Sequence, residues 1–157
     1  MKKEFLEEVY PHQHLIHKIC HLYRDHQEDK EDLFQEILYQ LWKAYPSFRG
    51  NSKITTWMYR IGLNTAMASF RKRKPDISNS LDQMGETISE EEVGDALSEQ
   101  LKQAIKLLNE GDRALVALYL DDLSYMEMAE ILGITENHVG VKLTRIREKL
   151  KKIIVKV

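Results

Sequence analysis

The sequence predicts an all-α protein of two small helical domains joined by an acidic flexible linker, with a helix-turn-helix in the second domain. Apolar residues recur at intervals of three and four on both sides of the chain's middle, which is typical of amphipathic helices. The middle, residues 76–93, is rich in Ser, Asp, Glu and Gly and has no sustained apolar period. We therefore predict domains over residues 1–75 and 94–157.

The composition is typical of a folded soluble protein, with 43% hydrophobic and 31% charged residues and a net charge of -2. The single cysteine, Cys20, excludes an intramolecular disulfide framework and suits a reducing cytoplasm. Acidic residues near the N-terminus exclude a signal peptide, and no apolar run approaches the roughly 18 residues of a membrane span. These features predict a cytoplasmic protein without direct membrane insertion.

The first helical stretch holds several histidines near Cys20. His14, His17 and His21 share one helical face, while apolar residues share the other. Imidazole and thiolate groups are good ligands for zinc or copper, so a metal site is one interpretation. Nothing downstream supplies a matching ligand pair. We favour a solvated or partner-facing helix surface and predict neither a metal nor a cofactor.

The next helix is predicted from a regular apolar series at helical spacing. Its members are Leu33, Phe34, Ile37, Leu38, Leu41, Trp42 and Tyr45. Asp29 and Glu31 suit the start of this helix, because acidic residues stabilise a helix N-terminus. Pro46 is expected to end the helix.

Residues 46–75 contain seven basic residues and no acidic one. Four aromatic residues are interleaved with them, namely Phe48, Trp57, Tyr59 and Phe70. Basic side chains attract phosphates and aromatic rings stack on unpaired bases, so this segment predicts a surface for nucleic acid. The alternative is an ordinary amphipathic helix that ends in a basic run.

A helix within this segment is expected to be capped by Asn51 or Ser52. The residues predicted to face inward are Ile54, Met58, Ile61, Thr65 and Ala68. A second, mostly polar and basic stripe consists of Lys53, Thr56, Arg60, Asn64, Met67, Arg71 and Lys74. Because no acidic residue balances this stripe, we interpret it as a binding surface.

Residues 124–150 have the pattern of a helix-turn-helix. Ser124 can cap the first helix, and Gly133 suits the left-handed residue that ends it. A small residue at Ala129 and a branched one at Val139 have the spacing that a tight crossing of two helices requires. Thr135 is predicted to cap the second helix, whose inward residues are Val139, Leu143, Ile146 and Leu150.

The second helix of such a motif enters the major groove of DNA with its N-terminal half. The residues then expected to face DNA are Glu136, Asn137, His138, Val141, Lys142 and Arg145. Gly140 is unusual, because glycine inside a helix costs about 1 kcal/mol relative to alanine. It either allows close approach to another group or is simply tolerated.

The basic segment at residues 46–75 and the helix-turn-helix at residues 124–150 occur in this order and are separated by an acidic stretch. In this arrangement the chain resembles the small two-domain extracytoplasmic-function (ECF) group of bacterial RNA polymerase sigma factors. Residues 31–74 resemble the family's second conserved region, and residues 123–150 resemble its fourth. The resemblance covers nearly the whole chain. It implies a non-enzymatic initiation factor that joins core RNA polymerase and directs it to promoters.

The resemblance also implies roles for individual residues. Asp32, Gln35 and Glu36 match the helix that docks on the clamp helices of the beta-prime subunit, and the beta flap is a further expected contact. The residues expected at the minus-ten element, on duplex and non-template single strand, are Phe48, Arg49, Asn51, Ser52, Thr56, Trp57, Arg60, Asn64 and Arg71. Phe48 and Trp57 are expected to flank a pocket for a flipped base, whose extrusion costs a few kcal/mol.

The minus-thirty-five element, as duplex DNA, is expected to contact Thr135, Glu136, Asn137, His138, Val141, Lys142 and Arg145. At two places the sequence departs from the family pattern, so the resemblance does not define every one of these contacts. Gly140 stands where the family commonly has a lysine, and residues 109–111 replace a usual proline. Many family members have an anti-sigma partner, and the sequence leaves open whether this one does.

Two other classes of function are weighed against this one. A stand-alone helix-turn-helix regulator would have no need for the acidic face at Asp32 and Glu36 beside an acid-free aromatic strip. An enzyme acting on nucleic acid would need a carboxylate cluster for magnesium, a phosphate-binding loop or a nucleophile motif, and the sequence has none of these.

Overall fold

The computed structural model describes residues 2–73 and 96–155, which form helices and short connections. The predicted all-α fold is confirmed, since no strand occurs within these two ranges. The predicted acidic linker at residues 76–93 lies outside the described residues. Among the helices of the described ranges, none is long and apolar enough to cross a membrane.

The helices are named here in chain order. Those before the gap are α1 (Lys2–Val9), α2 (Gln13–Tyr23), α3 (Gln27–Ala44) and α4 (Ile54–Lys72). Those after it are α5 (Ala96–Lys106), α6 (Glu110–Leu120), α7 (Tyr125–Leu132) and α8 (Glu136–Val155). Short 3-10 helices at Tyr10–His12 and Tyr45–Ser47 follow α1 and α3, and each contains a proline that prevents a regular continuation.

The first domain is built on α2, α3 and α4, which pack against one another around a closed apolar core. The predicted apolar series of α3 is confirmed at its centre, where Leu33, Ile37 and Leu41 are buried. The helix begins at Gln27, earlier than predicted, with Glu28 and Asp29 in its first turn. These acidic residues suit the positive end of the helix dipole.

The predicted inward face of α4 is confirmed at Met58, which is buried, and is wrong at Ala68. Ile54, Ile61 and Thr65 are half-buried. The buried residues are Thr56, Met58, Tyr59, Gly62, Leu63 and Ala66, whereas Ala68 is exposed. The physical reason lies at Gly62, where an added Cβ would lie 2.8 Å from Cδ1 of Ile19. Helix α2 approaches α4 along this glycine, and an apolar pattern gives no weight to a residue without a side chain.

The predicted cap of α4 is also wrong. Lys53 occupies the N-cap position, and no side chain caps the helix there. Neither Asn51 nor Ser52 is the capping residue. Gly50 has a φ of 73°, a conformation that glycine adopts at little cost, and it sets the direction of the chain just before these residues.

The second domain confirms the predicted helix-turn-helix. Ser124 and Glu127 form a reciprocal capping box at the start of α7, and Gly133 ends that helix with a φ of 71°. Oγ1 of Thr135 accepts a hydrogen bond from the backbone N–H of His138 and so caps α8. The inward residues of α8 are buried, namely Val139, Leu143 and Ile146, with Leu150 half-buried.

Helix α6 starts at the segment where the sequence departs from the family pattern. The side chain of Asn109 accepts a hydrogen bond of 2.8 Å from the backbone N–H of Asp112. An asparagine cap therefore starts the helix where a proline would otherwise stand. The departure preserves the helix start.

Candidate nucleic-acid interface

Phe48 and Trp57 form an aromatic pair at the start of α4. The 3-10 turn at Tyr45–Ser47 brings Phe48 back towards the helix, and the two ring centroids lie 5.0 Å apart. Tyr45 packs against both rings, at 6.5 Å from Phe48 and 6.2 Å from Trp57. The rings are half-buried and in direct contact, so a base can stack on their outer surface but cannot enter between them.

Polar and basic side chains lie in the loop before α4 and along α4. The exposed members of the predicted minus-ten set are Arg49, Asn51, Arg60, Asn64 and Arg71, and Ser52 is half-buried. The expectation that Thr56 contacts DNA is wrong, because Thr56 is only 5% exposed and packs inside the domain. A buried hydroxyl in the first turn of α4 cannot reach DNA in this structure.

Three basic residues of this surface contact the second domain. Nη2 of Arg60 donates a hydrogen bond of 2.7 Å to the carbonyl oxygen of Glu130. Lys53 lies 4.0 Å from the carboxylate of Glu127. Arg71 lies 3.9 Å from that of Glu110. The basic face is therefore accessible only in part.

Tyr59 has a different environment from Phe48 and Trp57. It is 6% exposed, and its hydroxyl donates a hydrogen bond of 2.5 Å to Oδ2 of Asp121 in the second domain. Burial, followed by that hydrogen bond and the charge of Asp121, raises the pKa of Tyr59 above its usual value. The hydroxyl thus keeps the proton that it donates.

The three residues predicted to bind polymerase share one exposed face of α3. Asp32, Gln35 and Glu36 are all exposed, and their spacing of three and four places them side by side. Oε1 of Glu36 accepts a hydrogen bond of 3.1 Å from Gln40 one turn later. The face lies on α3, which leads directly into the 3-10 turn before Phe48. The position of this face relative to the aromatic pair of Phe48 and Trp57 is therefore fixed.

Helix α8 presents most of its predicted DNA contacts to solvent. Thr135, Glu136, Asn137, His138, Val141 and Arg145 are exposed, and Lys142 is half-buried. Further along α8, Lys149 forms a hydrogen-bonded ion pair of 3.1 Å with Asp112, whose side chain is 9% exposed. Lys149 therefore stabilises the packing of α8 against α6 within the second domain.

Gly140 lines a shallow depression on the exposed side of α8. The depression has a volume of about 420 Å³ and is lined by Tyr125, Glu136, Asn137, Gly140, Val141 and Thr144. A Cβ at Gly140 would lie 3.5 Å from the Tyr125 ring, which is an ordinary contact distance, so this ring does not require a glycine at position 140. Sequence reasoning missed Tyr125, although an aromatic residue just after the Ser124 cap and off the apolar stripe was an available signal.

The histidine-rich face of α2 has no metal-binding geometry in the described residues. No group of three or more His, Cys, Asp or Glu side chains within residues 2–73 and 96–155 could hold a metal ion. His17 stacks on Phe34 with ring centroids 4.6 Å apart. Cys20 is 2% exposed, and burial raises the pKa of its thiol to about 11. Cys20 is therefore part of the apolar core of the first domain.

A helix-turn-helix with a basic second helix, joined to a helical domain with an acid-free aromatic and basic face, is typical of a DNA-binding transcription protein. Comparison with known families identifies the family to which the chain belongs. Residues 9–75 match Sigma-70 region 2, and residues 98–150 match Sigma-70, region 4. The chain belongs to the ECF RNA polymerase sigma factors, which direct transcription initiation.

Individual relatives agree with this assignment. The ECF RNA polymerase sigma factor SigW of Bacillus subtilis is 31% identical over 152 residues, covering 87% of this chain and 81% of SigW. The ECF RNA polymerase sigma-E factor of Escherichia coli K12 is 33% identical over 139 residues, covering 78% of this chain and 72% of sigma-E. The sigma factor RpoE in complex with the anti-sigma factor NepR from Bartonella quintana has the same fold, with a TM-score of 0.75, 23% identity and coverage of 99% and 98%.

Proposed function

We propose that this protein is an alternative sigma factor whose two domains bind different promoter elements. The domain over residues 1–75 binds core RNA polymerase and the minus-ten element, and the domain over residues 94–157 binds the minus-thirty-five element. The observation that carries this proposal is the pair of exposed, chemically distinct surfaces on α4 and α8. Residues 76–93 connect them, and their acidity disfavours contact with DNA phosphates.

The minus-ten surface combines stacking and electrostatic contacts. Phe48 and Trp57 provide an aromatic platform, and Asn64 provides an exposed amide about two turns after Trp57 on α4. Arg49, Arg60 and Arg71 bind phosphates of the non-template strand and the nearby duplex. Nη2 of Arg60 donates to the carbonyl oxygen of Glu130, which leaves the other N–H groups of its exposed guanidinium to bind a phosphate.

The minus-thirty-five surface reads duplex DNA with the first three turns of α8. Glu136 and Asn137 provide hydrogen-bonding groups for base edges, and Arg145 provides a phosphate or guanine contact. Val141 is 40% exposed beside the Tyr125 ring, so the depression at Gly140 offers an apolar contact for a thymine methyl group. The missing lysine at position 140 removes one phosphate contact.

The polymerase contact is assigned to the exposed face of α3. Asp32, Gln35 and Glu36 dock on the clamp helices of the beta-prime subunit, and the second domain contacts the beta flap. The protein acts as a non-enzymatic subunit in the cytoplasm. An anti-sigma factor is a further expected partner, because the similar RpoE structure contains one, NepR.

A reconstitution with core polymerase tests the polymerase face. We expect the variant Asp32→Asn with Glu36→Gln to bind core polymerase about tenfold more weakly, because interface charges are lost. Glu28→Gln is the matched control, since it removes an exposed acid from the first turn of the same helix. Failure of the wild-type protein to bind core polymerase, with retained binding to duplex DNA, would favour the stand-alone regulator, which the match to both sigma regions does not support.

A further inference from the structure

Tyr45 contacts both rings of the aromatic platform formed by Phe48 and Trp57. Its ring stacks on Phe48 with an interplanar angle of 26°, and it meets Trp57 edge to face at 66°. The carbonyl oxygen of Tyr45 also accepts a hydrogen bond of 3.0 Å from the backbone N–H of Phe48. One residue, in the 3-10 turn after α3, therefore holds the ring and the backbone of Phe48 and the ring of Trp57.

Two residues of α1 hold the Tyr45 side chain in turn. Oε1 of Glu8 accepts a hydrogen bond of 2.9 Å from the Tyr45 hydroxyl. The ring of Phe5 meets the Tyr45 ring edge to face, with centroids 5.3 Å apart, and Phe5 is 3% exposed in the core. Edge-to-face aromatic pairs have a defined geometry, and a hydrogen bond to a carboxylate is charge-assisted. Helix α1 thus fixes Tyr45 both at its ring and at its hydroxyl group.

The hydrogen bond to Glu8 can be removed without disturbing the core. Glu8 is exposed and Tyr45 is half-buried, so the loss of this bond neither opens a cavity nor leaves a polar group without access to water. Truncation of Phe5 would open a cavity and is less informative. Without its hydroxyl anchor the Tyr45 ring gains freedom, and a base that stacks on the platform must then order the rings as it binds.

We propose that Tyr45 is a positioning residue for the aromatic platform and that Glu8 of α1 fixes it through the hydroxyl group. This inference rests on the proposed function, since it requires that an unpaired base stacks on Phe48 and Trp57. It gives α1 a role in single-strand binding, although none of the residues expected to contact DNA lies on that helix. The anchored ring keeps the platform in one geometry before the strand arrives.

The negative charge of Glu8 acts on DNA independently of the hydrogen bond. Because loss of a carboxylate favours the binding of any phosphate chain, Glu8→Ala alone would mix two opposing effects. Glu8→Gln removes the same charge but keeps a side-chain oxygen that can accept from the Tyr45 hydroxyl. A comparison of Glu8→Ala with Glu8→Gln therefore isolates the hydrogen bond.

The test measures single-strand binding by full-length variants assembled with core RNA polymerase. The probe is a fluorescein-labelled oligothymidylate of about twelve nucleotides, because stacking on aromatic rings tolerates any base. We expect Glu8→Ala to bind it about threefold more weakly than Glu8→Gln, as the loss of one surface hydrogen bond predicts. Tyr45→Phe, which keeps the ring, should lose a similar factor relative to the wild type. Binding to core polymerase should be equal in all of them.

A combined variant and a fluorescence measurement separate positioning from general stability. In the Glu8→Ala background, Tyr45→Phe should cost no further affinity, because the hydrogen bond is already absent. Trp42→Phe leaves Trp57 as the only tryptophan of the chain. In that background, time-resolved fluorescence anisotropy should show faster motion of the Trp57 ring in Glu8→Ala than in Glu8→Gln. A loss of stability alone would not change this signal while the protein is folded.

Glu7→Ala is the matched control, since Glu7 is the neighbouring exposed acid on α1. We expect it to bind the oligothymidylate as Glu8→Gln does. Equal affinities of Glu8→Ala and Glu8→Gln, with an equally immobile Trp57 ring, would overturn the positioning role and leave the proposed function intact. If Trp57→Ala binds the oligothymidylate as tightly as the wild type, the platform is not used and the proposed minus-ten surface is itself refuted.

Discussion

The rings of Phe48 and Trp57 are in contact, with centroids 5.0 Å apart, although the two residues are nine positions apart in the chain. Tyr45 completes the group, and Phe5 of α1 packs on Tyr45 at 5.3 Å. The platform for an unpaired base is therefore supported by the first helix of the domain. An aromatic surface that is fixed before DNA arrives loses little side-chain entropy on binding.

Replacing Trp57 with alanine should impair promoter opening more than polymerase binding. Base stacking on an aromatic side chain contributes about 1–3 kcal/mol, so we expect at least a fivefold loss in open complexes. Asn64→Ala should act in the same direction. Potassium permanganate footprinting measures opening, and a pull-down with core polymerase measures binding.

Tyr10→Ala is the control for this prediction, because Tyr10 is 65% exposed in the same domain but outside the basic segment. An equal loss of opening and polymerase binding in Trp57→Ala would show that the ring supports the domain rather than the captured strand.

Replacing Lys142 and Arg145 with alanine should weaken binding to minus-thirty-five duplex DNA and flatten its salt dependence. Each phosphate contact contributes a slope of about 0.9 in the logarithm of affinity against the logarithm of salt. We expect the magnitude of the slope to fall by roughly 1 to 2. Fluorescence anisotropy across a salt series measures it.

The pair Lys151→Ala and Lys152→Ala is the control, because it removes the same charge from exposed positions nearer the C-terminal end of α8. A similar change of slope in both pairs would indicate a general charge effect instead of direct phosphate contacts at Lys142 and Arg145.

The helix-turn-helix could be predicted from sequence because its signals are local. A serine cap, a left-handed glycine and a branched anchor at set spacings determine the turn by themselves. The face of α4 could not be predicted as reliably, since Gly62 is the point of closest approach to Ile19. A glycine contributes nothing to an apolar pattern.

Contacts between the domains were beyond sequence reasoning for a different reason. Arg113 looks like a solvated residue of α6, and only the rings of Tyr23 and Phe70 from distant parts of the chain make it buried. No partner for the hydroxyl of Tyr59 could be predicted. Its acceptor, Asp121, lies 62 residues away in sequence.

Cys20 should be unreactive in the native protein. Its thiol is 2% exposed and burial raises its pKa from 9.0 to about 11, so almost no thiolate is present at pH 8. The stability that this protonated thiol contributes is complete below pH 9 and is lost as the pH rises towards 11. We expect a disulfide reagent such as DTNB to react rapidly only in denaturant. Fast reaction of the native protein at pH 8 would contradict this burial.

Two glycines inside helices should respond in opposite ways to alanine. A Cβ at Gly140 meets the Tyr125 ring at 3.5 Å, an ordinary contact distance, so Gly140→Ala should stabilise α8 by up to about 1 kcal/mol. A Cβ at Gly62 would meet the buried Ile19 at 2.8 Å, so Gly62→Ala must displace a core side chain and should lower stability. Urea unfolding followed by circular dichroism measures both changes. Because the helix propensity gain is the same at the two sites, their difference isolates the packing cost at Gly62, and equal stabilisation of both variants would show that α2 and α4 are not in close contact there.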